Sequence, residues 1–162
     1  MNKFLSIFAL AFATLMLSSF TQPNEGLDWK DFNEGYAKAK KEKKIALIDA
    51  YTEWCGWCKK MDRDTYANAG IAEKIKKNFV PIKFNPELDQ QYTLDGKTYS
   101  GMELLSILSN RQQSGYPTTF FLFTTKNKIL IEPGYQNANQ FALILDKMVA
   151  TANGTSERVP EK

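Results

Sequence analysis

The order of apolar and polar residues along the chain predicts alternating helices and strands. Asp28 is suited to an N-cap, and apolar residues follow it at helical spacing. This stripe consists of Trp29, Phe32, Tyr36 and Ala39. Residues 45–51 then form an apolar run interrupted only by Asp49, which is typical of a central strand covered on both faces.

Three further elements are predicted in the middle of the chain. A helix-compatible stretch follows the central strand and extends through residue 66. A short helix is expected over residues 71–78, with Ile71 and Ile75 facing inward. Residues 79–84 read as a second strand.

A β-hairpin and a capped helix are predicted next. Residues 92–94 and 97–99 flank an Asp-Gly pair, which is a strong signal for a two-residue hairpin turn. Ser100 and Glu103 have the spacing of a capping box, and an apolar helix is expected behind them.

The last part of the chain predicts two strands and a helix. The strands cover residues 118–123 and 128–131, and a short polar turn joins them. Apolar residues at helical spacing over 141–148 indicate an amphipathic helix that Gly154 can end. The whole order of elements predicts an α/β fold with helices flanking a central mixed sheet.

The N-terminal segment has the character of a targeting sequence. Lys3 precedes a long uncharged apolar run, so we expect residues 1–22 to be a secretory signal peptide; an uncleaved membrane anchor is the alternative. Either interpretation places the chain on the export side, in the periplasm, where disulfides persist. We expect one domain over residues 23–152 and a flexible tail over 153–162.

Composition narrows the possible chemistry. The chain has 162 residues, two cysteines and no histidine. The missing histidine excludes Cys–His and Ser–His catalysis, His-ligated metals and c-type haem attachment. Two thiols are too few for a four-ligand structural zinc site, so we expect no metal and no cofactor. A net charge of +3 is too small to indicate nucleic acid as a partner.

Cys55 and Cys58 are separated by two residues, directly after a predicted strand and at a predicted helix start. Helix N–H groups favour an anion there, so the pKa of the Cys55 thiol should fall, and Cys58 can resolve a mixed disulfide. Gly56 allows close approach of a backbone or substrate. The alternative is an inert disulfide that staples a turn, although so short a loop stabilises little.

The stretch D-A-Y-T-E-W-C-G-W-C-K over residues 49–59 resembles the active-site region of the thioredoxin superfamily. Further positions agree in order: an acid at 49, a strand lysine at 83, a proline at 117 and a glycine at 134. The chain is most similar in character to exported bacterial thioredoxin-like proteins. This resemblance implies a thioredoxin-like fold, with residues 86–115 as an inserted hairpin and helix before a cis-proline.

The resemblance also implies roles for five residues. Cys55 would be the nucleophile and Cys58 the resolving thiol of a redox-active disulfide. Asp49 would be a buried proton acceptor rather than a solvent-facing acid at a strand end, and Lys83 would pair with it. Pro117 would be the cis-proline that holds an extended substrate against the disulfide.

Four more residues are candidates for substrate binding. Tyr116 would offer backbone groups for strand-like pairing, and Gly56 would leave room at the disulfide. Trp54 and Trp57 would line an apolar docking surface, and the alternative for both is that they are packing residues.

The function expected from this resemblance is thiol–disulfide exchange with cysteines of exported proteins. A monomeric reductant, recharged by a membrane-bound redox partner, is the leading hypothesis. A disulfide oxidase or isomerase, and a non-catalytic binding module, are the alternatives. The pair between the cysteines is Gly-Trp where thioredoxin itself has Gly-Pro, so the reduction potential does not carry over.

Overall fold

The computed structural model describes residues 26–112 and 115–155. These residues contain six strands and five α-helices. The strands are β1 (Ile45–Ala50), β2 (Phe79–Phe84), β3 (Tyr92–Leu94), β4 (Lys97–Tyr99), β5 (Thr118–Phe123) and β6 (Lys128–Pro133). The helices are α1 (Phe32–Glu42), α2 (Gly56–Met61), α3 (Ala69–Asn78), α4 (Gly101–Leu108) and α5 (Ala138–Asn153). A π-helical turn, Asp62–Tyr66, continues α2.

The central sheet is mixed, as predicted, with the strand order β2-β1-β5-β6. β1 runs parallel to β2 and antiparallel to β5, and β5 runs antiparallel to β6. Strands β3 and β4 form the separate predicted hairpin. The register places Asp49 between Lys83 on β2 and Thr119 on β5, so these three side chains share one face of the sheet.

Side chains of alternate strand residues pack into two hydrophobic clusters, one on each face of the sheet. On one face α1, the β3–β4 hairpin and α4 pack against Ile48, Ile82 and Phe120. On the other face α2, the π-helical turn, α3 and α5 pack against Leu47 and Phe121. Asp49 and Lys83 belong to this second face by their position in the alternation, so α2 covers the face that carries them.

The insertion is anchored to α1. The Tyr36 hydroxyl donates to Asp95 Oδ1 at 2.7 Å, in the turn of the hairpin. Asn33 donates to the Gln91 carbonyl at 3.0 Å and accepts from the Thr93 N–H at 2.7 Å. The predicted capping box at the start of α4 is present. The hairpin and α4 therefore belong to the hydrophobic core of the domain.

The predicted start of the first helix is wrong by three residues. Asp31, not Asp28, is the N-cap of α1, and its side chain accepts from the Glu34 N–H at 3.0 Å. The preceding segment is extended because Lys30 pairs with Ile82 in a parallel bridge on the free edge of β2. Trp29 therefore belongs to this edge segment.

Other boundaries differ slightly from the predictions. β6 continues to Pro133, two residues further than expected, and Gly134 follows it with φ of 81°. α5 ends at Asn153 and Gly154 caps it with φ of 75°, so one residue of the expected tail is helical. The expected signal peptide and residues 156–162 lie outside the described residues. Among those described, no helix has the length and apolar character needed to cross a membrane.

Candidate active site

The two cysteines form a disulfide at the start of α2. Cys55 is the N-cap residue of this helix, and its Cα lies 5.3 Å from that of Cys58. The Cys58 backbone N–H donates to Cys55 Sγ at 3.1 Å. Both cysteines are at least 96% buried. A Cβ added to Gly56 would meet no atom within 4 Å, so the packing of the described residues does not require glycine there.

Asp49 is buried on the sheet face that α2 covers, with 1% of its surface exposed. Its Oδ2 accepts from Lys83 Nζ at 2.6 Å, while its Oδ1 has no hydrogen-bond partner among the described residues. Burial raises the pKa of the Asp49 carboxyl, and the Lys83 ammonium only partly offsets this. The expected burial of Asp49 and its pairing with Lys83 are both present.

Lys83 contacts a second carboxylate. Its Nζ lies 2.5 Å from Oδ1 of Asp62, whose side chain is 45% exposed. Asp62 opens the π-helical turn directly after α2, so this ion pair ties the end of the helix to β2. Burial lowers the pKa of Lys83, but Asp49 and Asp62 outweigh that effect and raise it above its usual value.

Three aromatic rings surround the Lys83 ammonium. The ring centroids of Trp29, Tyr51 and Tyr66 lie 4.7, 5.1 and 5.5 Å from its Nζ. Each distance allows a cation–π interaction. The Tyr66 hydroxyl lies 3.2 Å from Thr119 Oγ1, and burial together with the Asp49 carboxylate raises the pKa of Tyr66 well above its usual value. The lysine is therefore held in a nearly closed cage.

The loop before β5 has the expected cis-proline. The Tyr116–Pro117 peptide bond is cis, and the Pro117 carbonyl accepts from the Gly134 N–H at 2.8 Å. No hydrogen bond to the backbone of Tyr116 is formed by other described residues. The Tyr116 ring packs edge-on against Trp54 with centroids 5.9 Å apart, which brings this loop to the residue before Cys55.

Trp54 and Trp57 are exposed by 69% and 58%, so neither is buried in the core. Trp54 Nε1 donates to the Glu87 carboxylate at 3.1 and 3.2 Å. Trp57 contacts Tyr135 with ring centroids 5.5 Å apart. One exposed indole therefore precedes Cys55 and the other lies between the two cysteines, and each contacts a tyrosine from a different loop.

Three residues of this site were not predicted from the sequence. Asp62 lies one helical turn after Cys58, which is a signal that could have been noticed. Glu87 follows the strand of Lys83 closely, and Tyr135 follows Gly134, the glycine that the resemblance had identified. Among the described residues, no group of three or more acidic or sulfur ligands is arranged to hold a metal ion.

Known structures share this fold at low sequence identity. A thioredoxin from Thermus thermophilus is 18% identical to this chain, with a TM-score of 0.63. The match covers 82% of this chain and 95% of the thioredoxin. A DsbH oxidoreductase is 13% identical, with a TM-score of 0.56, and the match covers 83% of this chain and 88% of the oxidoreductase. The oxidised DsbD C-terminal domain of Neisseria meningitidis is 16% identical, with a TM-score of 0.53, and the match covers 72% of this chain and 97% of that domain.

Curated relatives match part of the chain. An uncharacterized protein of Archaeoglobus fulgidus is 31% identical over 78 residues, which are 48% of this chain and 60% of that protein. An uncharacterized protein of Caenorhabditis elegans is 25% identical over 104 residues, 61% of this chain. The chain spans only 13% of the nematode protein's length.

A family model matches residues 13–157 of the chain. The thioredoxin-like fold and the Cys-Gly-Trp-Cys disulfide together point to thiol–disulfide redox activity. The chain belongs to the Thioredox_DsbH family, described as proteins of unknown function, DUF255.

Proposed function

We propose that this protein is a thiol–disulfide oxidoreductase that reduces disulfides of exported proteins through Cys55 and Cys58. One observation carries the proposal. The Cys55–Cys58 disulfide lies at the start of α2, and the sheet face under that helix holds a buried carboxyl with a raised pKa, that of Asp49. A disulfide that only stapled a turn would not require a buried titratable group.

Cys55 is the nucleophile in this proposal. In the reduced protein its thiolate attacks one sulfur of a substrate disulfide, forms a mixed disulfide and releases the other substrate thiol. Hydrogen bonding from the Cys58 N–H to Cys55 Sγ favours the thiolate over the thiol. The substrate gains two electrons in the complete cycle, and the protein returns to its disulfide form.

Cys58 then resolves the mixed disulfide. Its sulfur attacks Cys55 Sγ, the second substrate thiolate leaves, and the thiol proton of Cys58 passes to Asp49. Because burial raises the pKa of Asp49, its carboxylate is a stronger base than an exposed aspartate. Lys83 is a positioning residue that holds Asp49 and tunes its basicity.

The substrate would bind as an extended segment across the disulfide. The backbone groups of Tyr116, to which no other described residue hydrogen-bonds, would be available for strand-like pairing beside Pro117. Trp54, Trp57 and the open space at Gly56 would accommodate side chains of the substrate.

Export, direction and partners form the finer part of the proposal. The apolar segment at residues 1–22 supports secretion to the periplasm of a bacterium, with a folded domain over 23–152 and a tail after it. The Asp49–Lys83 pair supports reduction as the direction, with a membrane-bound redox partner supplying electrons. We propose a monomer that acts on cysteine-containing proteins.

The test is a trapping experiment in cells. The full-length Cys58→Ser variant should accumulate mixed disulfides with client proteins through Cys55, visible as adducts that a reductant dissolves. A Cys55→Ser/Cys58→Ser double variant is the matched control and should trap nothing. Equal adduct levels in the two variants, or none in either, would overturn catalysis and favour the binding-module alternative.

The direction requires a separate measurement. Equilibration of the Cys55–Cys58 pair with glutathione gives its reduction potential. A reductase should have a value near that of thioredoxin, about −270 mV, whereas a value near −120 mV would establish a disulfide oxidase instead.

A further inference from the structure

The Trp54 side chain is exposed but held in a fixed orientation. Its indole N–H donates to both carboxylate oxygens of Glu87, and its ring contacts Tyr116 edge-on. Glu87 is itself positioned, because its backbone N–H donates to Asn85 Oδ1 at 3.0 Å in the turn after β2. An indole with 69% of its surface open to solvent therefore stands beside the reactive cysteine in one orientation.

The surroundings of this indole are negatively charged. Glu87 and Glu53 are exposed, and neither forms an ion pair with another described residue. Burial raises the pKa of the Tyr116 hydroxyl, and the Glu87 carboxylate raises it further. The Glu53 carboxylate has the same effect on Tyr51, again after burial.

The described positive charges near the site form no ion pair with Glu87. Lys83 is occupied by Asp49 and Asp62. Lys60 is paired with Asp64 and lies over the Tyr135 ring, in the group that contacts Trp57. Arg111 borders a cavity of about 600 Å³ that Tyr116 also lines. No described cation pairs with the Glu87 carboxylate at the Trp54 indole.

We infer that Trp54 and Glu87 form a specificity subsite for a cationic side chain, arginine or lysine, next to the target cysteine of the substrate. The inference rests on the proposed function and names its substrate class. The face of an indole attracts a cation, and the Glu87 carboxylate at its edge supplies the opposite charge. Arginine fits best, because its planar guanidinium can stack on the ring and bind a carboxylate at the same time.

The test uses short capped peptides with one cysteine in a mixed disulfide with 5-thio-2-nitrobenzoate. The residue beside the cysteine is Arg, Gln or Glu, placed on either side in turn. Cys55 thiolate attacks the peptide sulfur and releases the coloured thiolate. Cys58 then releases the peptide thiol, so the dithiol is oxidised as the mixed disulfide is reduced.

In low salt the Arg peptide should react about fivefold faster than the Glu peptide, from one exposed charge contact and one cation–π contact. The chain's net charge of +3 would by itself favour the Glu peptide, so a preference for Arg reports the local subsite. At 1 M salt, where the Debye length is about 3 Å, the ratio should shrink.

Glu87→Gln is the decisive variant, since it keeps an oxygen acceptor for the indole and removes the charge. It should lower the Arg-to-Glu ratio to about twofold or less, the part that the indole supplies without the carboxylate. Glu73→Gln, an exposed glutamate on α3, is the matched control and should keep the full ratio.

The outcomes separate the two proposals. Equal rates for the Arg and Glu peptides with the unchanged protein, or a ratio that survives in Glu87→Gln, would overturn the cationic subsite while leaving the oxidoreductase intact. A reduced protein that releases no thiolate from any peptide would instead overturn the proposed function itself.

Discussion

Lys83 and Asp49 lie directly opposite each other on two parallel strands, with Nζ and Oδ2 separated by 2.6 Å. The same ammonium binds Asp62 at 2.5 Å, so the Lys83 cation pairs with the buried Asp49 carboxylate and with the half-exposed Asp62 carboxylate. Because Lys83 contacts both carboxylates, a change in the protonation of Asp49 changes the balance of charge around the ammonium. The pH dependence of the protein should follow this network.

The first prediction concerns the rate of exchange in Asp49→Asn. Without a proton acceptor, resolution by Cys58 should slow on the order of 100-fold at pH 7 and much less at pH 9, where hydroxide removes the thiol proton. Stopped-flow release of peptide from the Cys55 mixed disulfide measures this step. Equal slowing at both pH values would remove Asp49 as the acceptor.

The second prediction concerns stability and follows from the raised pKa of Asp49. Between the ordinary carboxyl pKa and the higher folded value, the native state keeps a proton that the unfolded chain has lost. Stability therefore falls as pH rises through this window, by about 1.4 kcal/mol for each unit of difference. The Asp49→Asn variant should not show this fall in stability, because asparagine does not titrate.

Urea unfolding of the oxidised protein and of Asp49→Asn, at a series of pH values from 4 to 8, measures this effect. The free energy of unfolding of the unchanged protein, relative to the variant, should decrease as pH increases. A difference that stays constant across the series would show that the pKa of Asp49 is the same in the folded and unfolded states.

The third prediction uses the opposite effects of Lys83 and Asp62 on Asp49. The Lys83 ammonium lowers the pKa of Asp49 and the Asp62 carboxylate raises it. Lys83→Met should therefore move the Asp49 titration to higher pH, and Asp62→Asn should move it to lower pH. Carboxyl carbon NMR of Asp49 follows both titrations, and shifts in the same direction would contradict the three-group network.

The elements of the fold were largely predictable because their signals are local. The strand over 79–84, the strand over 118–123 and the Asp-Gly hairpin match the structure residue for residue. Continuous apolar runs and a turn dipeptide carry that information within a few positions. The N-cap of α1 was misplaced because Lys30 pairs with Ile82, a contact 52 positions away that no local pattern contains.

The site was predictable only where the family resemblance supplied the partners. The pairing of Asp49 with Lys83 was predicted from that resemblance, because the sequence alone does not give the register of the two parallel strands. Asp62 and Glu87 were missed because their partners, Lys83 and Trp54, lie 21 and 33 positions away. Neither carboxylate interrupts a hydrophobic pattern, and the helical spacing from Cys58 to Asp62 does not identify Lys83 as the partner.

The fourth prediction tests how closely the insertion packs. A Cβ added to Gly101 would lie 2.1 Å from the Pro86 carbonyl oxygen, a backbone atom that has little freedom to move. Gly101→Ala should lower the free energy of unfolding by about 1–3 kcal/mol.

Gly70→Ala in α3 is the matched control, since its Cβ would meet only Asn68 Oδ1 at 3.4 Å. It should be neutral or stabilise by up to about 1 kcal/mol, because alanine is the better helix former. Urea unfolding measures both variants, and equal effects would show that the contact between α4 and Pro86 is loose.

The extended segment at Lys30 also limits how copies of this protein can associate. Lys30 donates its N–H to the Pro81 carbonyl and accepts from the Lys83 N–H, so it occupies the β2 edge of the sheet next to the lysine cage. Of the two edges of the described four-stranded sheet, β6 is the one that carries no such bridge. That strand begins with Lys128 and ends with Pro133, a charged residue and one without an N–H, both of which discourage edge-to-edge aggregation.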